Sequence, residues 1–204
     1  MKTHSRLSAV CLLLAGGSFT YAFADIASSI TSGNSPSNPG FYWGEAITTI
    51  VGGPWDALSF NFYSGSSPST PLAEGDVFLL SEPYLGTPAA LSSSTPGFVA
   101  EGAASGEEYD FTANVTITGD TEYWIYTDTV LPSLMGGAIN PSYDFYYAPS
   151  DTVDFSNISG SGVDYSLMGT PATVTPVPEP GFLGVLAIDM VGLLCAARRR
   201  RSNR

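Results

Sequence analysis

Residues 57–63, ALSFNFY, alternate between apolar and polar side chains. In an extended chain, Leu58, Phe60 and Phe62 fall on one face, and the residues between them fall on the other. This period of two predicts a strand with one buried face. It is the clearest secondary-structure signal in the chain, and we work outward from it.

The same alternation recurs in residues 109–117, 122–130 and 143–147, with shorter candidate strands at 76–80 and 163–168. Turns rich in Gly, Pro and Ser separate these segments at roughly ten-residue spacing, which is typical of antiparallel sheets. The half-polar alternation indicates one dry and one solvated face for each sheet. We therefore predict an all-β protein, an antiparallel, jelly-roll-like β-sandwich.

This domain is expected to span residues 41–168. Residues 25–40, in which Ser, Gly, Asn and Pro are crowded together, are predicted to be a loop or a frayed start. Residues 169–176 are predicted to be an extended linker.

The first 24 residues have the three regions of a secretory signal peptide, in order. Lys2 and Arg6 provide a positive start, residues 7–14 are apolar, and Ala22 and Ala24 flank Phe23 in an A-x-A cleavage site. We expect a signal helix that signal peptidase removes after Ala24. The mature chain then begins at the next residue.

The charge distribution is extremely uneven. All seven Lys and Arg residues lie in the first six or the last seven positions. The 19 acidic residues include Glu179 and Asp189 in the C-terminal segment, and the other 17 lie between Asp25 and Val177. We call residues 25–176 the body of the protein. Because the body contains no Lys or Arg, it cannot bind nucleic acid by counterion release, and no nucleic-acid partner is expected.

The same composition limits the possible chemistry of the body. Without His or Cys it cannot form a Ser-His-Asp or Cys-His catalytic site, nor a zinc site with sulfur or imidazole ligands. Paired carboxylates are the one catalytic arrangement left. The sequence alone cannot place any pair at the separation this chemistry requires, and some clustering is expected by chance among 17 acidic residues. We therefore predict that the protein is not an enzyme.

Residues 177–204, VPEPGFLGVLAIDMVGLLCAARRRRSNR, form a separate C-terminal segment. Its apolar run, residues 182–197, has 16 residues and carries Asp189 near its middle. A helix of this length is about 24 Å long, shorter than the hydrocarbon core of a bilayer. We predict a short membrane helix whose arginine end stays in the cytoplasm.

This three-part segment resembles the PEP-CTERM sorting signal of Gram-negative bacteria. The resemblance implies recognition by an exosortase-type membrane protease, an inner-membrane-tethered precursor, and release to the cell surface or the extracellular space of a polysaccharide-producing cell. Asp189 departs from the usual all-apolar run. The matching residues are Pro178, Glu179 and Pro180 in the motif, and Arg198, Arg199, Arg200 and Arg201 in the basic cluster.

The body is similar to the choice-of-anchor families of exported bacterial β-sandwich domains. These families imply no catalytic residues. The matching stretches are GEAITT (44–49), PWDALSFNFYS (54–64), VFLLSEPYLGTPAALSSSTPGF (77–98) and EYWIY (122–126).

Two kinds of binding site are candidates within the body. Asp151, Asp154 and Asn157 carry oxygen atoms suited to a structural calcium ion, with solvated acids as the alternative. No other cofactor is expected. Aromatic rings beside polar groups are candidates for a sugar-binding surface, with burial in the core as the alternative. The candidate glycan-facing rings are Trp43, Trp55 and Tyr146.

From the sequence we expect an exported protein with a structural or adhesive role in a polysaccharide-rich matrix. The main alternative is a carbohydrate-binding module whose partner is an extracellular polysaccharide. The remaining alternative is a glycosidase that uses two carboxylates, for which Glu107, Glu108 and Asp110 form one acidic cluster and Asp144, Asp151 and Asp154 another.

Overall fold

The computed structural model describes residues 25–31, 35–37, 39–67, 69–112 and 115–172, and over residues 137–142 it describes the backbone alone. The predicted signal helix and the predicted membrane helix lie outside these ranges. Within them, no helix has the length and apolar character needed to cross a membrane.

Strands dominate the described residues, with a single turn of 3-10 helix at Pro88–Ala90. The strands are β1 (Asp25–Ile30), β2 (Ser35–Pro36), β3 (Tyr42–Thr48), β4 (Trp55–Tyr63), β5 (Pro71–Leu72), β6 (Asp76–Leu80), β7 (Phe98–Ser105), β8 (Glu108–Phe111), β9 (Glu122–Thr127), β10 (Met135–Ala148), β11 (Ser156–Val163) and β12 (Tyr165–Pro171).

All described pairings are antiparallel, and they join the strands in the order β1-β12-β4-β8-β7-β6-β9-β3-β10-β11, with β2 beside β10 and β5 beside β4. The sheet curls into a half-barrel. The curl brings β1 back to the end of β3, where the Ile50 N–H donates to the Ala27 carbonyl at 2.8 Å and the Ser28 Oγ–H donates to the Thr48 carbonyl at 2.8 Å. The prediction of an all-β antiparallel fold is confirmed.

Residues 156–171, which form β11 and β12, run as one extended segment from one end of the sheet to the other. Strand β11 pairs with β10 at one end, and β12 pairs with β1 and β4 at the other. Asp164 is the residue between them. Its N–H donates to the Met135 carbonyl at 2.8 Å, and its carbonyl accepts from the Tyr63 N–H at 3.1 Å. Residues 163–168, which were predicted to form one strand, are therefore divided between two, since β11 ends at Val163 and β12 begins at Tyr165.

The concave face of the sheet holds the larger core. Leu58, Phe60 and Phe62 of β4 are all buried there, as the alternation predicts. Phe60 lies edge-on to Phe62 with ring centroids 4.8 Å apart, and it stacks on Tyr165 of β12 at 5.8 Å. This cluster of rings holds the centre of the concave core together.

A second, smaller core lies on the convex face. There Tyr126 is fully buried and packs against Tyr146 and Phe155. The segment that follows β6 covers it, since the Tyr126 hydroxyl accepts from the Tyr84 N–H at 2.9 Å. Strands β6 and β9 therefore carry buried residues on both faces, and the prediction of one solvated face is wrong for them.

Three predicted boundaries are also wrong. Residues 25–40 contain β1 and β2 rather than only a loop. The predicted strand at 109–117 ends at Phe111 in β8, and Ile117 instead forms an isolated bridge with Trp55. The first residues of the predicted linker, up to Pro171, belong to β12.

Candidate functional site

An open groove lined mainly by aromatic rings is the best candidate site. Six residues line its volume of about 400 Å³, and together we call them the aromatic groove: Ser37, Phe41, Trp43, Phe145, Tyr147 and Ile158. Strands β3 and β10 supply three of the six, namely Trp43, Phe145 and Tyr147. Tyr147 is the register partner of Trp43. Because side chains two residues apart in a strand share a face, Phe145 and Tyr147 lie on one face of β10.

The rings of the groove support one another. Phe41 is edge-on to Trp43 at 5.9 Å and edge-on to Tyr147 at 5.6 Å. Trp43 and Phe145 are tilted at 37°, with centroids 5.8 Å apart. Ring pairs in these arrangements attract each other beyond their burial, so the wall is preformed. Phe41, Phe145 and Tyr147 are only half-buried. Part of each ring therefore remains accessible.

Trp43 carries an unused hydrogen-bond donor. The residue is only 3% exposed, and its indole Nε1 has no hydrogen-bond partner within the described part of the chain. Its backbone is held in place, because the Trp43 N–H donates to the Thr127 Oγ1 at 2.9 Å. Buried polar groups in folded proteins nearly always have partners, so an unpartnered indole in a groove wall calls for an explanation.

Glu45 lies two residues further along β3 and is fully buried. Its Oε2 accepts from the Val163 N–H at 3.1 Å, and its Oε1 has no partner within the described residues. The absence of a side chain at Gly162 allows this packing, since a Cβ there would lie 2.8 Å from Oε1. The carboxyl is thus held in a tight, largely apolar site.

The charge state of Glu45 follows from this environment. Loss of solvation raises its pKa well above the ordinary 4.5, the charges of Asp144 and Asp164 raise it further, and the Val163 N–H opposes the shift. Residues 25–172 contain no Lys, Arg or His that could neutralise a carboxylate. Burial of Glu45 therefore favours its neutral form over the carboxylate.

The structure buries all three aromatic residues predicted to face a glycan. Trp43, Trp55 and Tyr146 are each 3% exposed. Trp55 belongs to the concave core, and Tyr146 packs on Tyr126 in the convex core. The prediction of exposed rings is wrong for them, because both faces of the sheet carry a core. Trp43 still lines the aromatic groove from its buried position.

The sequence reasoning missed Phe41, Phe145 and Ile158 as groove residues. A signal for one of the rings was present, because Tyr146 and Tyr147 must point to opposite faces of a strand. The structure buries Tyr146 and leaves Tyr147 half-buried. Ile158 is 40% exposed at the rim, on β11 opposite Phe145.

The predicted calcium ligands lie on and just before β11. Asp151 and Asp154 are exposed. Burial raises the pKa values of Tyr42 and Tyr84, and the charges of Asp151 and Asp154, respectively, raise them further. Asn157 is on β11, where its Oδ1 accepts from the Ser159 hydroxyl at 3.1 Å. Within the described ranges, no three or more Asp, Glu, His or Cys residues are grouped so that they could hold a metal ion. The calcium site stays a prediction.

The acidic clusters considered for hydrolysis lie on the surface or near it. Glu107, Glu108 and Asp110 are exposed around the β7–β8 turn. Asp110 also lines a second open concavity of about 430 Å³, together with Glu101. The non-enzymatic character of the protein stays a prediction.

The residues predicted to control sorting, from Ala22 and Ala24 at one end to Pro178, Glu179, Pro180 and the arginine cluster at the other, lie outside the described residues. No protein-family model, no curated protein and no solved structure matches this chain.

Proposed function

We propose that this chain is an exported, non-enzymatic protein with a structural or adhesive role in a polysaccharide-rich matrix, carried there by a C-terminal PEP-CTERM signal. One observation carries the proposal. A Pro-Glu-Pro motif, an apolar run and an arginine cluster follow one another at the C-terminal end of a chain whose first 24 residues have the sequence pattern of a signal peptide.

The proposed route has two processing steps. Signal peptidase cleaves after Ala24, and the arginine cluster then holds the precursor in the inner membrane. An exosortase-type protease cleaves near Pro178–Pro180 and releases the body to the surface. The end of the sheet at Pro171 is compatible with this route, since the proposed cut near Pro178–Pro180 falls beyond it.

The fold supports the proposed structural role. The two ends of the curled sheet share one concave core, and we propose that they face each other as the layers of a jelly-roll-like sandwich. Such a body needs no disulfide, since a chain of this length buries enough apolar surface.

Mass spectrometry of the intact protein from the cell surface tests the sorting proposal. We expect the mature species to begin at Asp25 and to lack residues 198–204. Glu179→Ala should leave a membrane-bound precursor that keeps its arginines, whereas Glu74→Ala, an exposed acid in the body, should be processed normally. Surface material that still carries the arginines would refute processing.

A carbohydrate-binding module is the second candidate, and the aromatic groove favours it. Rings that are half-buried and held in place by one another are suited to stacking against sugars. A glycan array probed with the full chain tests this candidate. Reproducible binding that Trp43→Ala abolishes would favour it over a purely structural role.

A further inference from the structure

We infer that the side-chain amide of Asn157 is a glycosylation site, at which a sugar chain becomes attached through an N-glycosidic bond. Asn157, Ile158 and Ser159 form an N-x-S triplet, the acceptor pattern of N-linked glycosylation. The inference goes beyond the function proposed above and does not depend on the PEP-CTERM signal.

The triplet lies on the exposed part of an edge strand. Strand β11 is the last in the order of the sheet, and among the described strands it pairs with β10 alone. Residues 156–159 are all exposed. A transferase that carries a large sugar donor can therefore reach the amide from the open side of the strand.

The strand brings the two functional groups of the triplet together. Because side chains two residues apart share a face of a strand, Asn157 and Ser159 lie on the same side of β11. The Ser159 hydroxyl donates to the Asn157 Oδ1 at 3.1 Å. The Asn157 side chain also hydrogen-bonds the hydroxyl of Tyr146, its register partner on β10. These bonds orient the amide, and since a side-chain amide has two N–H hydrogens, one remains to be replaced.

The attachment needs an activated sugar, whose anomeric carbon carries a phosphate or pyrophosphate leaving group. The Asn157 Nδ2 attacks that carbon, an N–C bond forms, and the C–O bond to the phosphate breaks, so that the leaving group departs with its electron pair. One amide proton passes to a base of the transferase. As this proton leaves, negative charge develops on Oδ1, where the Ser159 hydroxyl is placed to stabilise it.

A sugar chain at this position would also protect the edge of the sheet. Exposed edge strands can pair with other chains, and proteins commonly prevent this with charged residues or Pro. Residues 156–163 contain neither. A bulky, hydrophilic glycan on Asn157 would cover the edge instead.

Peptide mapping by mass spectrometry, on the chain purified from its native host, tests the inference. A protease that cuts before Asp releases residues 154–163 as one peptide, in which Asn157 is the only Asn. We expect this peptide to carry the added mass of whole sugar residues, and fragmentation should place them on Asn157. Residues 128–143 form a separate peptide with an Asn140-Pro141-Ser142 triplet. Asn140 should be unmodified, because Pro in the middle position is not accepted.

Variants of the triplet test the part played by the hydroxyl. Asn157→Gln and Ser159→Ala should each abolish the added mass, whereas Ser159→Thr, which keeps a hydroxyl, should retain it. Ser156→Ala changes an exposed residue of the same strand outside the triplet, and it should also retain the added mass. If a variant fails to accumulate, the map of the wild-type chain still decides.

The outcomes are distinct. An unmodified Asn157 in the wild-type chain, or sugar attached to Ser156 or Ser159 instead, would overturn the inference. Sugar on Asn157 that persists in Ser159→Ala would overturn the role given to the triplet. Failure of the sorting proposal would show itself separately, as arginines retained on the surface species.

Discussion

Replacement of Glu45 by Gln should remove a large part of the pH dependence of stability. The structure determines the magnitude. Glu45 is fully buried, one oxygen accepts a single N–H, and the other has no partner in the described part of the chain. Desolvation above all, with Asp144 and Asp164 adding to it, raises its pKa. Tyr143 lies beside Gly162, which also borders the Glu45 carboxyl. The hydroxyls of Ser28 and the nearby Tyr165 are hydrogen-bonded to each other at 2.8 Å.

The sign follows from linkage. Below its ordinary pKa of 4.5, Glu45 is neutral in both states. Above it, the unfolded chain loses this proton while the folded protein keeps it. Each pH unit then lowers the free energy of unfolding by about 1.4 kcal/mol from this one group, until the raised pKa is reached. The fold is therefore more stable in mild acid than at neutral pH.

Chemical denaturation from about pH 5 to about pH 7 measures this slope. The other acids contribute a background that wild type and variants share, so the difference between curves isolates Glu45. Glu45→Gln should flatten the wild-type slope by about 1.4 kcal/mol per pH unit just above pH 5. Glu108→Gln, at an exposed position on β8, should run parallel to wild type. Parallel curves for wild type and Glu45→Gln would show that the folded carboxyl is ionised, and the reasoning would fail.

Further changes test packing and charge. Gly44→Ala places a Cβ 2.5 Å from ring carbons of Tyr126 and should cost about 1–3 kcal/mol in denaturation, whereas Gly136→Ala, with its nearest atoms at 3.5 Å, should cost far less. Tyr109→Phe removes a hydroxyl that donates to the Glu74 carbonyl at 2.9 Å and accepts from the Glu74 N–H at 3.0 Å, and a loss of about 1–3 kcal/mol is expected. Raising the salt concentration to about 0.5 M should increase the melting temperature, since it screens repulsion in a body whose charged side chains are all acidic; a lower melting temperature would contradict this.

The strands were predictable where alternation is simple. Leu58, Phe60 and Phe62 face the core as expected, and the bounds of β6 agree with the predicted segment. Burial follows the period of two in β4 because one face meets the core, whereas the apolar run of β6 is buried on both faces. The alternation did not predict where the strand that was expected at 109–117 ends. Its alternation continues past Phe111, but the chain leaves β8 there and Ile117 bridges β4.

The candidate site was less predictable. Tyr126 and Tyr146 are buried on the face opposite the main core because the segment containing Tyr84 folds over them, and this is a long-range contact without a local sequence signal. The choice of which aromatic residues are accessible depends on that cover. It also explains why Tyr147, rather than Tyr146, is available to the groove. The buried Glu45 was hidden for a similar reason, since its neighbour Gly162 is 117 positions away along the chain.

The position of β12 has a mechanical consequence. The chain leaves the sheet from the end of β12, which lies between β1 and β4 rather than at an edge. A pull on the C-terminal side directed along this strand loads its hydrogen bonds to both neighbours together, in shear. A strand peeled from an edge would instead release its bonds one after another. If the predicted membrane segment holds the precursor, tension from a bound matrix polymer would therefore pass into β12 and be shared by its hydrogen bonds to β1 and β4.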